Sequence, residues 1–303
     1  MNMLELPPRS LMKTDLSDGG SAIWSASETL YVRAWGTRGS VPVSGPSFQR
    51  YGGNTVCVEM RCGDSVLIFD AGSGIVPAGK VLKAEGCKQV QLLFSHCHYD
   101  HIIGLPYFAP IYDPEATVTI SSGHLAGKMS TSEMIDQFMQ PPWFPVTPKT
   151  CRSQINYRDF RAGDVLAPCP DVVVKTCQLD HPGGAIGYRV EWGGRIVAFI
   201  TDTEHTPGTL DPNVLALIEN ADVFLYDASY TDEEMEKYKG FGHSSWQQGI
   251  RLARAANAKS VGFLHHSPWR TDHELDKMGR AASEEFAGAF VARDGQTMRF
   301  QAI

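Results

Sequence analysis

The chain has 303 residues, 43% of them apolar, and a formal net charge of −7. That is enough to bury a full core in one domain, and the acidic balance works against a large nucleic-acid footprint while leaving room for a local basic patch. No run approaches the ~18 uncharged apolar residues of a membrane span, and Met1 to Ser27 lack the basic-then-apolar order of a secretory signal, so a cytoplasmic protein with no membrane partner is expected.

The first 28 residues hold turn formers and no sustained apolar period, which predicts a loosely ordered arm, with a single domain over residues 29–303. Short β-rich runs then follow at Leu30–Trp35, Thr55–Arg61, Ser65–Asp70, Val90–Ser95 and Ala116–Ser121, with a helical pattern at Ile75–Ala84. A helix is predicted at Thr131–Met139, inside the least regular stretch, Pro106 to Phe160, which reads as a lid, a substrate wall or an ordinary insertion. Further runs at Val172–Leu179, Ala185–Trp192, Arg195–Thr201, Val223–Tyr226, Ser260–Leu264 and Thr297–Ile303 read as strands. Helices are predicted at Asn213–Glu219, Asp232–Tyr238, Ser245–Ala258 and Asp272–Ala289. Capping-box spacings mark three of their starts: Thr231 with Glu234, Ser245 with Gln248, and Thr271 with Glu274. Hairpins are expected at Gly63-Asp64 and Gly193-Gly194. Strands interleaved with helices predict a layered α/β architecture.

The stretch LFSHCHYDHIIG, from Leu93 to Gly104, places His96, His98, Asp100 and His101 within six positions. The apolar run before it reads as a buried strand, which delivers these groups into a loop at its carboxyl end. In extended chain i and i+2 share a face, so His96 and His98 converge while Asp100 and His101 turn toward a second centre. Histidine and carboxylate without thiolate form a ligand set for Zn²⁺, Mn²⁺ or Fe in catalytic sites. The seven cysteines are scattered and contain no C-x-x-C pair, so they suggest neither a disulfide framework nor a thiolate site. Further ligand types close later apolar runs: His181, Asp202 and the pair His265-His266.

Together with GTRGSVPVSG, RYGGNT (Arg50 to Thr55) and FDAGSG (Phe69 to Gly74), this series resembles the metallo-β-lactamase superfamily, in particular its phosphodiesterase branch with ribonuclease Z and cyclic-phosphodiester hydrolases, over about residues 30 to 270. The resemblance implies an αββα sandwich with two divalent metal ions, zinc foremost. His96, His98 and His181 would hold one ion and Asp100, His101 and His265 the other, with Asp202 bridging. Asp70 would support the site from below, and His266 would pack or assist. Two ions of this kind make a bridging hydroxide near neutral pH, which serves hydrolysis of a phosphodiester or an activated acyl bond.

A phosphodiester expels an alkoxide that needs a proton, so an acid that is not a ligand is required. His243, just before a helix, and Asp227, closing VFLYD, resemble the acid pair of the ribonuclease Z branch, although that branch commonly has Glu where Asp227 stands. The expected catalytic residues are therefore His243, Asp227 and Asp100. Arg38, Arg50 and Arg270 are candidate phosphate-binding cations, and Trp143, Phe144, Trp246 and Trp269 candidate base-stacking rings. Ribonuclease Z proper carries a long basic, glycine-rich arm; none lies between Asp100 and Asp202, and the chain is acidic. The expected partner is accordingly a small-molecule phosphodiester, with long nucleic acid unfavoured and a homo-oligomer allowed. The alternatives are an acyl hydrolase on a thioester, lactone or β-lactam, and a metal-bound sensor without turnover.

Overall fold

The computed structural model describes residues 28–303. The expected N-terminal arm, Glu28 apart, lies outside the described residues. Two seven-stranded mixed sheets face one another. The first contains β1 (Thr29–Gly36), β2 (Cys57–Cys62), β3 (Ser65–Phe69), β4 (Gln89–Phe94), β5 (Thr117–Ser122), β6 (Gln154–Asp159) and the last strand, β14 (Thr297–Gln301), in the order β14-β1-β2-β3-β4-β5-β6. The second contains β7 (Val165–Leu166), β8 (Val173–Leu179), β9 (Ala185–Trp192), β10 (Arg195–Ile200), β11 (Val223–Asp227), β12 (Val261–Leu264) and β13 (Ala289–Val291), in the order β13-β12-β11-β10-β9-β8-β7.

Strand alternation explains how the sheets stack, because successive side chains point to opposite faces. Leu67 and Phe69 of β3 and Val223 and Leu225 of β11 point into the core shared by the two sheets. Their neighbours Val66 and Ile68 face outward onto α1 (Ile75–Ala84) and α3 (Thr131–Phe138), and Phe224 and Tyr226 face α4 (Pro212–Ile218), α6 (Trp246–Ala255) and α7 (Asp272–Glu285). The result is the expected αββα sandwich. Two one-turn α-helices, α2 (Tyr99–Ile102) and α5 (Asp232–Met235), also form.

Both sheets become parallel where the site lies. Strands β3, β4 and β5 run parallel, as do β10, β11 and β12, so the carboxyl ends of β3, β4, β10, β11 and β12 gather at one edge of the sandwich. Strand β8 reaches the same edge because it is antiparallel to β9, itself antiparallel to β10. The sheets are also joined there: Tyr188 of β9, fully buried, donates its hydroxyl to Phe94 O at 2.5 Å, and Ile186 N–H donates to Ser95 O at 3.0 Å.

Three strands, β6, β7 and β13, and the helix α2 were absent from the sequence reading. The Pro106–Phe160 stretch is not simply a lid: it supplies β5 and β6 to the first sheet and packs α3 on its outer face. Helix α3 has a capping box of its own, Ser130 with Glu133. Both hairpins form, with Gly63, Gly193 and Gly194 at positive φ of 58°, 54° and 71°, which only glycine adopts without strain. The helix expected at Asp232–Tyr238 stops at Met235, and the capping boxes at Thr231 and Thr271 form. Among the described residues no helix is long and apolar enough to cross a membrane.

Candidate metal centre

The expected ligands all meet at the parallel edge. His96 Nε2 and His181 Nε2 each lie 3.0 Å from His98 Nδ1, so three ring nitrogens converge on one point. Their spacing is close to the ~3.3 Å edge of a tetrahedron with metal–nitrogen bonds of about 2.0–2.1 Å. Beside it, Asp100 Oδ2 lies 3.3 Å from His101 Nε2 and 3.1 Å from His265 Nε2. Asp202 stands between the two groups, with Oδ2 3.2 Å from His101 Nε2 and Oδ1 3.2 Å from His265 Nε2 and 3.7 Å from His96 Nε2.

Sharp turns aim these groups. Asp70, Asp202 and His265 each follow a strand end, and each takes a positive φ (60°, 46° and 58°), a backbone state L side chains rarely adopt. Ser40, at φ 65°, donates its N–H to Asp100 Oδ2 at 2.7 Å. Two glycines make the histidines fit. A Cβ on Gly39 would lie 2.2 Å from the His265 ring, and one on Gly242 would lie 2.2 Å from His181 Nδ1.

The outer nitrogens of the imidazoles are held by acceptors, which assigns the tautomers. His101 Nδ1–H donates to Asp70 Oδ2 at 2.8 Å, and His181 Nδ1–H to Gly242 O at 2.8 Å. His96 Nδ1–H donates to Ser95 Oγ at 3.0 Å, and that hydroxyl donates to Asp70 Oδ2 at 2.7 Å. The second sheet repeats the device: His265 Nδ1–H donates to Ser229 Oγ at 3.0 Å, and the hydroxyl donates to Asp227 Oδ1 at 2.8 Å. The Nε2 atoms of these four rings are thereby aimed inward.

The electrostatics fit cations at both points. Burial pushes the pKa of His96, His98 and His181 down, so this trio is neutral and ready to ligate. Burial also opposes charge on His101 and His265, yet Asp202 and Asp100 outweigh it, raising His101 well above its ordinary value and His265 to about 9. Burial likewise opposes ionisation of Asp100 and Asp202. For Asp100 it is outweighed by His101 and His265, and for Asp202 by His265, His101 and His96, and both carboxylates stay ionised well below the usual range. Without metal, the second centre thus needs protons for positive charge. His101 Nε2 is buried and lacks a well-formed hydrogen bond. Donor types, convergence and charge all fit two divalent ions.

His243 lies against this cluster, its Nδ1 3.8 Å from Asp202 Oδ1 and close enough to His181 and Asp202 to group with them, but that nitrogen is already engaged by Asp227. Its Nδ1–H donates to Asp227 Oδ2 at 2.8 Å, and its ring stacks on His265 with centroids 4.7 Å apart. His266 is no ligand: fully buried, it donates Nε2–H to Ala292 O at 2.8 Å, and burial lowers its pKa to about 3.

Other candidates fall away. Arg38 is fully buried and donates to Gly52 O and Arg270 O at 2.9 and 2.6 Å; Arg50 pairs with Asp276 at 2.7 Å, and Arg270 pairs with Glu234 at 2.5 Å. None of the three lines the cavity over the site, nor, among the described residues, does any lysine or other arginine. The rings Trp143, Phe144, Trp246 and Trp269 are also absent from it; Tyr99 and Phe241 line it instead. Sequence reasoning missed Ser95, Ser229, Gly39 and Gly242. The available signal was adjacency, since both serines lie within two residues of a strand-end Asp or His.

Residues 67–266 match the family model described as a beta-lactamase superfamily domain. The chain belongs to that superfamily. It is 25% identical over 285 residues to ribonuclease Z of Treponema pallidum (strain Nichols), covering 78% of this chain and 89% of that one. Its fold matches the metallo-beta-lactamase fold protein YhfI from Bacillus subtilis (TM-score 0.68, 18% identity, 90% of this chain and 100% of that one). It also matches human tRNase Z, short form (TM-score 0.62, 19% identity, 90% and 99%). With this membership the chain is a metal-dependent hydrolase, and the fold is one that carries divalent metal ions.

These relatives correct the expectation about partners. Net charge and the missing basic arm were taken to disfavour long nucleic acid, yet relatives matching most of this chain are ribonucleases by name. Whole-chain charge measures long-range attraction, not what a metal centre cleaves, so it does not set aside RNA.

Proposed function

We propose that the chain is a dinuclear metal-dependent phosphodiesterase, with zinc the favoured metal and His243 the acid that protonates the departing oxygen. One observation supports the reading: the His243 ring stacks on His265 while its Nδ1 is held by the buried Asp227 carboxylate at 2.8 Å, which suits an acid better than a ligand. An acyl hydrolase expelling a thiolate or a stabilised alkoxide has little use for such an acid, whereas a phosphodiester does.

His96, His98 and His181 would hold one ion, Asp100, His101 and His265 the other, with Asp202 shared. When bound, such ions supply Lewis-acid charge for the phosphoryl oxygens and a water acidic enough to attack near neutral pH. The rest falls to the chain. Asp227 accepts the His243 Nδ1–H, so the imidazolium form presents its second proton, on Nε2, to the leaving oxygen and returns to the neutral Nδ1–H ring. Asp70 and Asp227, through Ser95 and Ser229, hold the ligand rings so that no reorientation accompanies the reaction. Since no lysine or arginine among the described residues lines the cavity, phosphate charge is left to the metal centre.

A substrate panel tests this: metal-replete protein with bis(p-nitrophenyl) phosphate, a structured RNA, a thioester and a lactone. Turnover of the phosphodiesters well above the acyl substrates is expected. Faster acyl turnover would transfer the site to the acyl class, and no turnover of any substrate would favour a sensor.

A further inference from the structure

The cavity over the metal centre has a volume of about 390 Å³, in the range that takes a mononucleotide-sized ligand. Two of its lining side chains are large and apolar yet open to solvent: Tyr99 is 75% exposed and Phe241 59%. Phe241 is not exposed through looseness. The Glu204 carboxylate accepts the N–H of Gly240 at 2.9 Å and of Gly242 at 2.8 Å, pinning the chain on both sides of it. Gly242 O is fixed in turn by His181, at 2.8 Å. Behind the ring, Tyr238 meets it edge-on (centroids 5.8 Å, 85°) and stacks on Tyr230 (4.3 Å, 3°), which abuts His243 (6.0 Å, 71°). An apolar ring held rigidly with one side bare, two residues from the acid, is preorganised for a flat partner.

We propose that Phe241 is a stacking platform for the nucleobase of the bound phosphodiester. The proposal rests on the phosphodiesterase reading and adds its ligand class: nucleotides rather than simple alkyl or glyceryl phosphodiesters. Base–aromatic stacking tolerates any base, because every base has a π-face. Phosphate and sugar contacts would be shared by all substrates, whereas the platform acts on the base alone.

Equilibrium binding separates the two parts. Adenosine 5′-monophosphate and ribose 5-phosphate are titrated into metal-replete protein by calorimetry; they share the phosphate and ribose and differ in the base. The wild type is expected to bind the nucleotide about 5- to 150-fold more tightly. Phe241→Ala should bring the two affinities together at unchanged metal content, and Phe241→Trp should restore the gap. Phe241→Leu, which keeps bulk without the π-face, should lose most of it and guards against a collapsed loop in the alanine variant. An equal gap in wild type, Phe241→Ala and Phe241→Leu, or no gap in the wild type, would overturn the platform. Failure of the hydrolysis panel would instead strike the phosphodiesterase reading, and the binding ratio would still decide the platform.

Discussion

At the residue scale, two buried aspartates organise the imidazoles, one from each sheet. Asp70 holds His101 directly and His96 through Ser95, while Asp227 holds His243 directly and His265 through Ser229. Asp70→Asn is expected to lower metal occupancy about 10- to 100-fold in affinity, because the outer partner of a ligand histidine sets its tautomer; elemental analysis after dialysis checks it, and full retention would count against the hub. A third aspartate gives a pH test away from the ligands. Burial, opposed by hydrogen bonds from Asn54 and Thr37, raises the Asp294 pKa from 3.8 to about 6. A folded value above the unfolded one favours the protonated form in the fold. Its contribution is therefore full below about pH 4 and is lost as pH rises through 6. Asp294→Asn carries no such loss, so its stability relative to wild type should improve by about 1–3 kcal/mol between pH 4 and 6 and then level off. Denaturant melts at several pH values read this directly, and a flat difference would refute it.

At the element scale, strand ends place the site, and they are also what the sequence made legible. The run QVQLLF before SHCHYDH announces β4 and the turn after it, and the ends of β8, β10 and β12 were readable from apolar runs closed by a His or Asp. The short edge strands β6, β7 and β13 were not. They lack a long apolar run, and their existence depends on the neighbour they pair with. Arg38 failed as a phosphate group for a similar reason: nothing local says that a cation beside a glycine loop will be fully buried and bound by backbone carbonyls from Gly52 and Arg270. The joint between sheets was equally hidden, since Tyr188 and Phe94 are 94 positions apart. Tyr188→Phe leaves Phe94 O without its partner, so a loss of about 1–3 kcal/mol in unfolding free energy is expected. Equal stability of the two proteins would remove this bond from the account of how β4 is fixed.

At the scale of the whole molecule, the proposed ligands come from both halves: His96, His98, Asp100 and His101 follow β4 of the first sheet, and His181, Asp202 and His265 follow β8, β10 and β12 of the second. Bound ions would therefore tie the two sheets together at the edge where their buried charges meet. Chelation should lower the melting temperature by about 5–15 °C, the effect of a ligand held at ~1,000 times its dissociation constant on a chain of this size. Identical melts with and without chelator would argue against tight resident metal. The central claim, that this centre cleaves phosphodiesters with His243 as the acid, meets its most direct test in a leaving-group comparison. His243→Ala is assayed on a dinucleotide, whose alkoxide needs a proton, and on bis(p-nitrophenyl) phosphate, whose phenolate hardly does. The account predicts a loss of about 10²–10⁴ on the first and a far smaller loss on the second, at unchanged metal content. An equal loss on both, or loss of metal from the variant, would contradict it.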